Sequence, residues 1–132
     1  MKILLVITLL FTTIFAKNYK EFAKEFKYET SYEVAIKKAA EQKKDLMFVM
    51  VANFCPWCSK FEKKVLSKKK MDVKIHEKYI PLIINREENN YPKEFNSPFI
   101  PVMYFVDYKT NKIKKKVVGY NNKADFITIV NE

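Results

Sequence analysis

Two cysteines, two residues apart, stand between a strand-length apolar segment and an amphipathic helical pattern. The apolar segment covers residues 46–52 and carries no charge, which is typical of a strand buried on both faces of a parallel sheet. Cys55 and Cys58 follow it, and residues 59–66 then set apolar side chains four apart among lysines, as in a surface helix. This order restricts the chain to folds in which a cysteine pair lies at a strand-to-helix junction.

The rest of the composition leaves few other places for chemistry. The chain has 132 residues, enough for one domain, and its 48% hydrophobic content is too high for a disordered chain. The single glycine, Gly119, excludes glycine-rich phosphate loops and dinucleotide fingerprints in their usual forms. The single histidine, His76, leaves too few ligands for most zinc sites. We therefore expect no metal, and we look for reactivity at the cysteines.

The first sixteen residues predict a signal peptide that is not part of the fold. After a basic start, residues 3–16 are uncharged and mostly apolar. The run is shorter than the roughly 20 residues that span a membrane, but it suits the core of a signal peptide. Ala16 is a suitable last residue before cleavage, whereas Ile14 is larger than that site prefers, so an uncleaved anchor stays open. We expect an exported, periplasmic bacterial protein whose domain covers residues 17–132.

The positive charge of the chain does not by itself indicate a nucleic-acid partner. The formal net charge is +10, and lysine runs occupy residues 68–70 and 114–116. Nucleic-acid surfaces also need aromatic side chains interleaved with the basic ones, and these runs have none. We interpret the lysines as solvated faces and expect no nucleic-acid partner.

Export changes what Cys55 and Cys58 can mean. A disulfide between them closes so short a loop that it removes little entropy from the unfolded chain, and it would therefore be a poor staple. As a redox pair the spacing is useful, because one sulfur can attack a disulfide while the other resolves the mixed intermediate. The start of a helix favours a thiolate at Cys55, and Pro56 suits the first helical position. A structural bridge or half of a metal site stays open, whereas haem attachment would need a histidine where Ser59 stands.

The remaining segments alternate between helical and strand patterns. Residues 30–33 (Thr-Ser-Tyr-Glu) have the form of a capping box and start a helix. A weaker helical pattern precedes them at residues 19–26. Further helices are predicted at 72–79 and 122–130, a brief helical turn at 91–95, and strands at 80–84, 102–106 and 113–118. The order predicts an α/β domain with a central mixed sheet covered by helices on both faces.

Three motifs in the same order resemble the thioredoxin family. The segment Val51-Ala52-Asn53-Phe54-Cys55-Pro56-Trp57-Cys58 is similar to the family's W-A-x-W-C-x-x-C. Phe99-Ile100-Pro101-Val102-Met103-Tyr104-Phe105 is similar to its I-P-T-x-x-x-F, and Val117-Val118-Gly119-Tyr120 resembles the V-G-x segment before its last helix. The resemblance covers nearly everything after residue 30, and small exported thioredoxin-like proteins are the most similar. It implies a thioredoxin fold.

The resemblance also implies roles for individual residues. Cys55 would be the nucleophile and Cys58 the resolving cysteine. Pro101 would be a cis-proline facing the pair, and it would present a backbone edge to a docked substrate. Trp57 is either an ordinary surface aromatic residue or part of a hydrophobic docking surface, and we favour the second. The full predicted docking set is Pro56, Trp57, Ile100 and Pro101.

Two departures from the family pattern concern proton transfer and redox potential. Thioredoxins carry a buried aspartate six residues before the first cysteine, and Val49 stands there in this chain. Glu62, one turn beyond Cys58, is the candidate for proton transfer in its place, although a glutamate among lysines is commonly just an exposed helical residue. Pro56-Trp57 also differs from the Gly-Pro of thioredoxin and resembles the Cys-Pro-aromatic-Cys of glutaredoxins and some periplasmic oxidoreductases.

The sequence therefore predicts a periplasmic thiol–disulfide oxidoreductase, and we expect a reductase. A dedicated isomerase would bring a dimerisation domain, and the main oxidant would bring a large helical insertion, neither of which is recognisable. A thiol oxidant of the same fold stays open, as does a non-catalytic binding module whose cysteine pair is permanently oxidised. We expect a monomer with no cofactor beyond the Cys55–Cys58 disulfide. The expected partners are exported proteins with disulfides and a membrane or periplasmic thiol electron donor.

Overall fold

Four strands form one mixed sheet in the computed structural model, which describes residues 18–132. The central strand β1 is parallel to β2 and antiparallel to β3, and β4 pairs antiparallel with β3 at the other edge. The predicted signal peptide at residues 1–16 lies outside the described residues. The strands are β1 (Asp45–Val51), β2 (Tyr79–Asn85), β3 (Val102–Val106) and β4 (Ile113–Val118).

Five α-helices accompany the sheet in the described part of the chain. The third runs directly into a π-helical turn (Glu62–Leu66), and short 3₁₀ turns follow β2 at Arg86–Glu88 and Lys93–Phe95. Within residues 18–132, no helix combines the length and apolar character needed to cross a bilayer. The helices are α1 (Tyr19–Phe26), α2 (Tyr32–Gln42), α3 (Pro56–Phe61), α4 (Lys69–Lys78) and α5 (Lys123–Asn131).

Alternate side chains of β1 enter two separate cores. The odd-numbered residues from 47 to 51 pack with α1, α3, α4 and α5 on one face of the sheet. The even-numbered residues from 46 to 50 pack with α2 on the other face. Successive side chains of a strand point to opposite faces, so a strand covered on both faces carries no polar residue. The predicted α/β arrangement, with helices on both faces of a mixed sheet, is confirmed.

A short extended segment before α2 covers the outer edge of β2. The Glu29 N–H donates to the Pro81 carbonyl at 2.9 Å, and the Ile83 N–H donates to the Glu29 carbonyl at 2.9 Å. Pro81 has no N–H to contribute to a ladder, and the strand is paired here through its carbonyl instead. The sheet therefore leaves β4 as its exposed edge, while the redox motif follows the carboxyl end of the protected strand β1.

Candidate active site

Cys55 and Cys58 form a disulfide at the start of α3, with their Cα atoms 5.3 Å apart. Cys55 caps the helix, and its Sγ accepts a hydrogen bond from the Cys58 N–H at 3.2 Å. Cys58 is buried, with 3% of its surface exposed, whereas Cys55 is half-buried. A partner sulfur therefore has access to Cys55 before it has access to Cys58. The same N–H is placed to stabilise a thiolate at Cys55 once the disulfide is reduced.

The loop between β1 and α3 is held by side chains from the last residue of β2 and from the turn that follows it. The Asn53 N–H donates to Glu87 Oε2 at 3.1 Å, and Asn85 Nδ2 donates to Asn53 Oδ1 at 2.7 Å. Phe54 then adopts a left-handed backbone with φ of 51°, which turns the chain into α3. Pro56 takes the first helical position, where the N–H that it lacks has no partner within the helix.

Pro101 lies at the start of β3, in the loop that faces the disulfide helix. The Ile100–Pro101 peptide bond is cis, and the Pro101 carbonyl accepts the Gly119 N–H at 2.7 Å. Gly119 has φ of 87°, a conformation that disfavours any side chain even though a Cβ would meet no neighbouring atom. An open groove of about 360 Å³ lies between these loops and α3, lined by Trp57, Ile100, Pro101, Gly119 and Tyr120.

Exposed aromatic side chains occur in both segments that form the site, next to Cys55 and next to the Ile100–Pro101 bond. Phe54 is fully exposed, Phe99 is 63% exposed, and Trp57 is 55% exposed. Large apolar side chains in water are unfavourable unless a partner covers them, and clusters of them commonly mark binding surfaces. The structure brings three residues of the predicted docking set, Trp57, Ile100 and Pro101, to one groove, while Pro56 lines a separate cavity together with Cys55 and Cys58.

Trp57 is fixed by contacts that the sequence did not indicate. Its ring centroid is 5.6 Å from that of Tyr120. The Lys60 Nζ lies 4.8 Å from the Trp57 centroid and 4.9 Å from the Tyr120 centroid. Tyr120 follows β4, more than sixty residues along the chain, so no local pattern could have paired it with Trp57. Its position directly after Gly119, in the motif that resembled V-G-x, was the available signal.

Glu62 lies in a second cavity, which both cysteines also line. This cavity of about 760 Å³ extends to Tyr19, the first residue of α1, and to its cap residue Asn18. Burial raises the pKa of the Tyr19 hydroxyl above its ordinary value, and the Glu88 carboxylate adds to the rise. Burial likewise raises the pKa of Tyr28, with further contributions from the Asp72 and Glu62 carboxylates. Glu62 itself is half-buried and lines the same cavity as Cys58. Proton transfer between the two residues requires such a position.

Among residues 18–132, no group of three or more His, Cys, Asp or Glu side chains is arranged to hold a metal ion. The two cysteine sulfurs are bonded to each other. The chemistry that these residues offer is thiol–disulfide exchange.

Comparison with known proteins agrees with the fold. A family profile described as a thioredoxin-like domain matches residues 32–132, and the chain therefore belongs to the thioredoxin-like family. Among curated protein sequences, none matches the chain.

Several solved structures share the fold at low sequence identity. A thioredoxin from Thermus thermophilus superposes with a TM-score of 0.68 and 16% identity, over 79% of this chain and 84% of that one. The oxidised C-terminal domain of DsbD from Neisseria meningitidis gives 0.59 and 15%, over 78% and 97% of the two chains. A thioredoxin-fold protein from Helicobacter pylori gives 0.58 and 18%, over 68% of each. The family and the disulfide-bonded Cys-x-x-Cys pair together define a thiol–disulfide oxidoreductase.

Proposed function

We propose that this protein is an exported reductase of disulfides in other exported proteins. The observation that carries the proposal is the asymmetry of the pair. Cys55 is half-buried and hydrogen-bonded at the start of a helix, whereas Cys58 is buried behind it. A permanently oxidised binding module would have no use for this asymmetry, because neither sulfur would ever have to attack a partner.

In the first step, the Cys55 thiolate of the reduced protein attacks one sulfur of a substrate disulfide. A bond forms between Cys55 and that sulfur, the substrate S–S bond breaks, and the second substrate sulfur leaves as a thiolate that takes a proton from solvent. The Cys58 N–H, 3.2 Å from the Cys55 sulfur in the oxidised protein, favours the attacking thiolate. Trp57, Ile100 and Pro101 line the groove in which the substrate chain would dock.

In the second step, Cys58 loses its proton and attacks the Cys55 sulfur. The Cys55–Cys58 disulfide forms, and the first substrate cysteine leaves as a thiolate and is protonated. The substrate has then gained two electrons and two protons, and the protein is in the oxidised form described above. We assign the proton of Cys58 to Glu62, which lines the same cavity. A thiol electron donor at the membrane or in the periplasm would reduce the pair again.

The direction of exchange is inferred from the segment that connects β2 to β3. Between β2 and β3, residues 86–101 contain only two short 3₁₀ turns, with no helical insertion of the kind expected of a dedicated oxidant.

The export of the chain rests on the signal-peptide pattern of residues 1–16. Subcellular fractionation of the producing cells, with mass analysis of the purified chain, tests export and cleavage separately.

The two cysteines are expected to fail in different ways when each is replaced. Cys55→Ser removes the nucleophile and abolishes reduction of insulin disulfides. Cys58→Ser keeps the nucleophile and accumulates a mixed disulfide between Cys55 and insulin, because nothing resolves it. Non-reducing electrophoresis and mass analysis detect that adduct. Insulin reduction by Cys55→Ser at the wild-type rate would refute the assignment.

Equilibration with glutathione buffers distinguishes reductase from oxidant. A potential near the roughly −270 mV of thioredoxin supports the reductase, whereas one near the roughly −120 mV of DsbA supports the oxidant. A pair that never exchanges with glutathione would leave only the binding module. Across all three outcomes the thioredoxin-like fold is unchanged, so the measurement addresses function alone.

A further inference from the structure

The ammonium group of Lys60, two residues beyond Cys58, lies against two aromatic rings that also contact each other. Its Nζ lies 4.8 Å from the centroid of Trp57 and 4.9 Å from that of Tyr120. Lysine side chains on a helix surface are ordinarily free to move, and ordering one costs entropy. Attraction between a cation and two ring faces offsets that cost and fixes the charge in one place.

This charge is not neutralised by the protein. Within the described range 18–132, the lysines in ion pairs are Lys20, Lys38, Lys114 and Lys115. Lys60 is exposed and contacts rings instead. Glu62, two residues further along, lines the separate cavity that contains both cysteines. An aromatic ring attracts a cation without taking its hydrogen-bond donors, so the three N–H groups of Lys60 remain available to an acceptor from outside.

The position of Lys60 beside the docking groove would allow its ammonium group to contact a docked substrate. The two rings that hold it, Trp57 and Tyr120, also line the groove, together with Ile100 and Pro101. A substrate chain in this groove would therefore pass the ammonium group, which belongs to the same helix as the cysteine pair. The apolar walls suit the methylene groups of a glutamate or an aspartate, and the ammonium suits its carboxylate.

We infer that Lys60, held by Trp57 and Tyr120, is a carboxylate-binding residue that selects substrates with an acidic side chain beside the reactive cysteine. The inference rests on the proposed function for the nature of the occupant, an acidic segment of an exported protein that contains a disulfide. The net charge of +10 adds a general attraction for acidic chains. The local selection comes from Lys60, the cation that lies against the two rings of the groove.

Two peptides that contain a disulfide and differ only in Glu or Gln beside one cysteine test this inference. Trp57 is the only tryptophan of the chain, so its fluorescence reports binding to the oxidised full-length protein directly. We expect the Glu peptide to have a Kd roughly fivefold lower than the Gln peptide, the ratio that one partly exposed ion pair gives. The same ratio is expected in kcat/KM for exchange with the reduced protein, and added salt reduces both.

Matched lysine variants assign the preference to one side chain. Lys60→Met is expected to bring the Glu-to-Gln ratio to about one, and Lys60→Arg to retain it, because the charge is kept. Lys64→Met, an exposed lysine on the following turn, is expected to keep the full ratio. A wild-type protein that binds both peptides equally overturns the inference. So does an equal loss of exchange with both peptides in Lys60→Met, which would assign Lys60 to the Cys55 thiolate.

The binding measurement also separates this inference from the proposed function. The oxidised protein binds peptides whether or not it can exchange disulfides with them. A Glu preference in Kd without any exchange would support the carboxylate site and refute the reductase. Exchange without a Glu preference would do the opposite.

Discussion

At the scale of single residues, the acid that would serve Cys58 comes from the helix and not from the strand. Val49 of β1 occupies the position where the resembled family has a buried aspartate, and it is completely buried among apolar side chains. A valine there cannot carry a proton. Glu62 reaches the cavity of Cys58 from one turn further along the helical segment. The proton acceptor that we propose for Cys58 is thus a half-buried carboxylate outside the sheet.

Replacing Glu62 tests this assignment. Glu62→Gln keeps the size and removes the proton acceptor, so resolution of the mixed disulfide is expected to slow by about 100-fold at neutral pH, the lower end of positioned acid–base contributions. The difference is expected to shrink as pH rises, because the Cys58 thiol then ionises without help. Stopped-flow measurement of the second exchange step against pH checks both statements.

A control for this variant lies on the opposite face of the sheet. Glu41 is exposed on α2, away from the disulfide, and Glu41→Gln is expected to leave the rate and its pH profile as they are. If Glu62→Gln follows the wild-type profile as closely as Glu41→Gln does, the proton of Cys58 leaves by another route.

At the scale of secondary-structure elements, α5 supports the redox helix from behind. Its N-terminus is capped by Asn122, whose Oδ1 accepts the Asp125 N–H at 2.9 Å. Phe126 of α5 is buried edge-on against Phe61 of α3, with ring centroids 5.8 Å apart. Helix α5 therefore packs against α3 and helps to position the cysteine pair at the start of that helix.

The cap of α5 can be removed without changing the side chains that form the contact between Phe126 and Phe61. Asn122→Ala is expected to lower the free energy of unfolding by about 1 kcal/mol, because the Asp125 N–H loses its acceptor. Asn122→Asp should retain the wild-type stability or exceed it, since a carboxylate caps equally well and complements the helix dipole. Urea denaturation of the oxidised protein measures both changes. Equal stability of the Ala and Asp variants would contradict a capping role.

Element boundaries were predictable where a side chain or a turn marks them. The strands of the β3–β4 hairpin lie at the predicted residues, because Asp107 and the residues after it form a tight connection. The capping box shifts by one position, since Ser31 and not Thr30 caps α2. Helix α4 starts at Lys69, three residues before the prediction, and its cap residue Lys68 makes no side-chain hydrogen bond. A helix that begins without a capping side chain leaves no signal in the sequence.

At the scale of the whole molecule, an aromatic cluster fills the core between the sheet and α2. Phe48 of β1 is fully buried at its centre. Its ring centroid lies 5.1 Å from that of Phe95, 5.9 Å from that of Tyr104 and 6.3 Å from that of Tyr32. Three distant parts of the chain thus meet on one side chain of the central strand.

Truncation at this position should be costly. Phe48→Ala is expected to lower the free energy of unfolding by about 4 kcal/mol, because it removes buried apolar surface and leaves a cavity that rigid rings cannot fill. Val73→Ala, at an exposed position of α4, is expected to change stability by less than about 0.5 kcal/mol. Denaturant unfolding of both variants gives the comparison. A loss below about 1 kcal/mol for Phe48→Ala would show a core that repacks readily.

The candidate site was predictable only where its residues lie in local motifs. The positions of Cys55, Cys58 and Pro101 follow from three short segments and their order. Packing between α3 and the segment after β4 brings the rings of Trp57 and Tyr120 together. The same packing places Lys60 against both rings. The loop held by Asn85 and Glu87 likewise depends on tertiary contacts. Contacts of this kind arise from side chains far apart in sequence, which periodicity and spacing do not report.

The parallel pairing of β1 with β2 has a consequence for how the protein folds. The two strands are joined through residues 52–78, the segment that contains the cysteine pair, α3 and α4. A parallel pair forms only when its whole crossover has closed, which makes it a slow, long-range step compared with the β3–β4 hairpin. The crossover that closes when β1 pairs with β2 therefore contains both cysteines, and the helix that carries them covers one face of the sheet that this pairing completes.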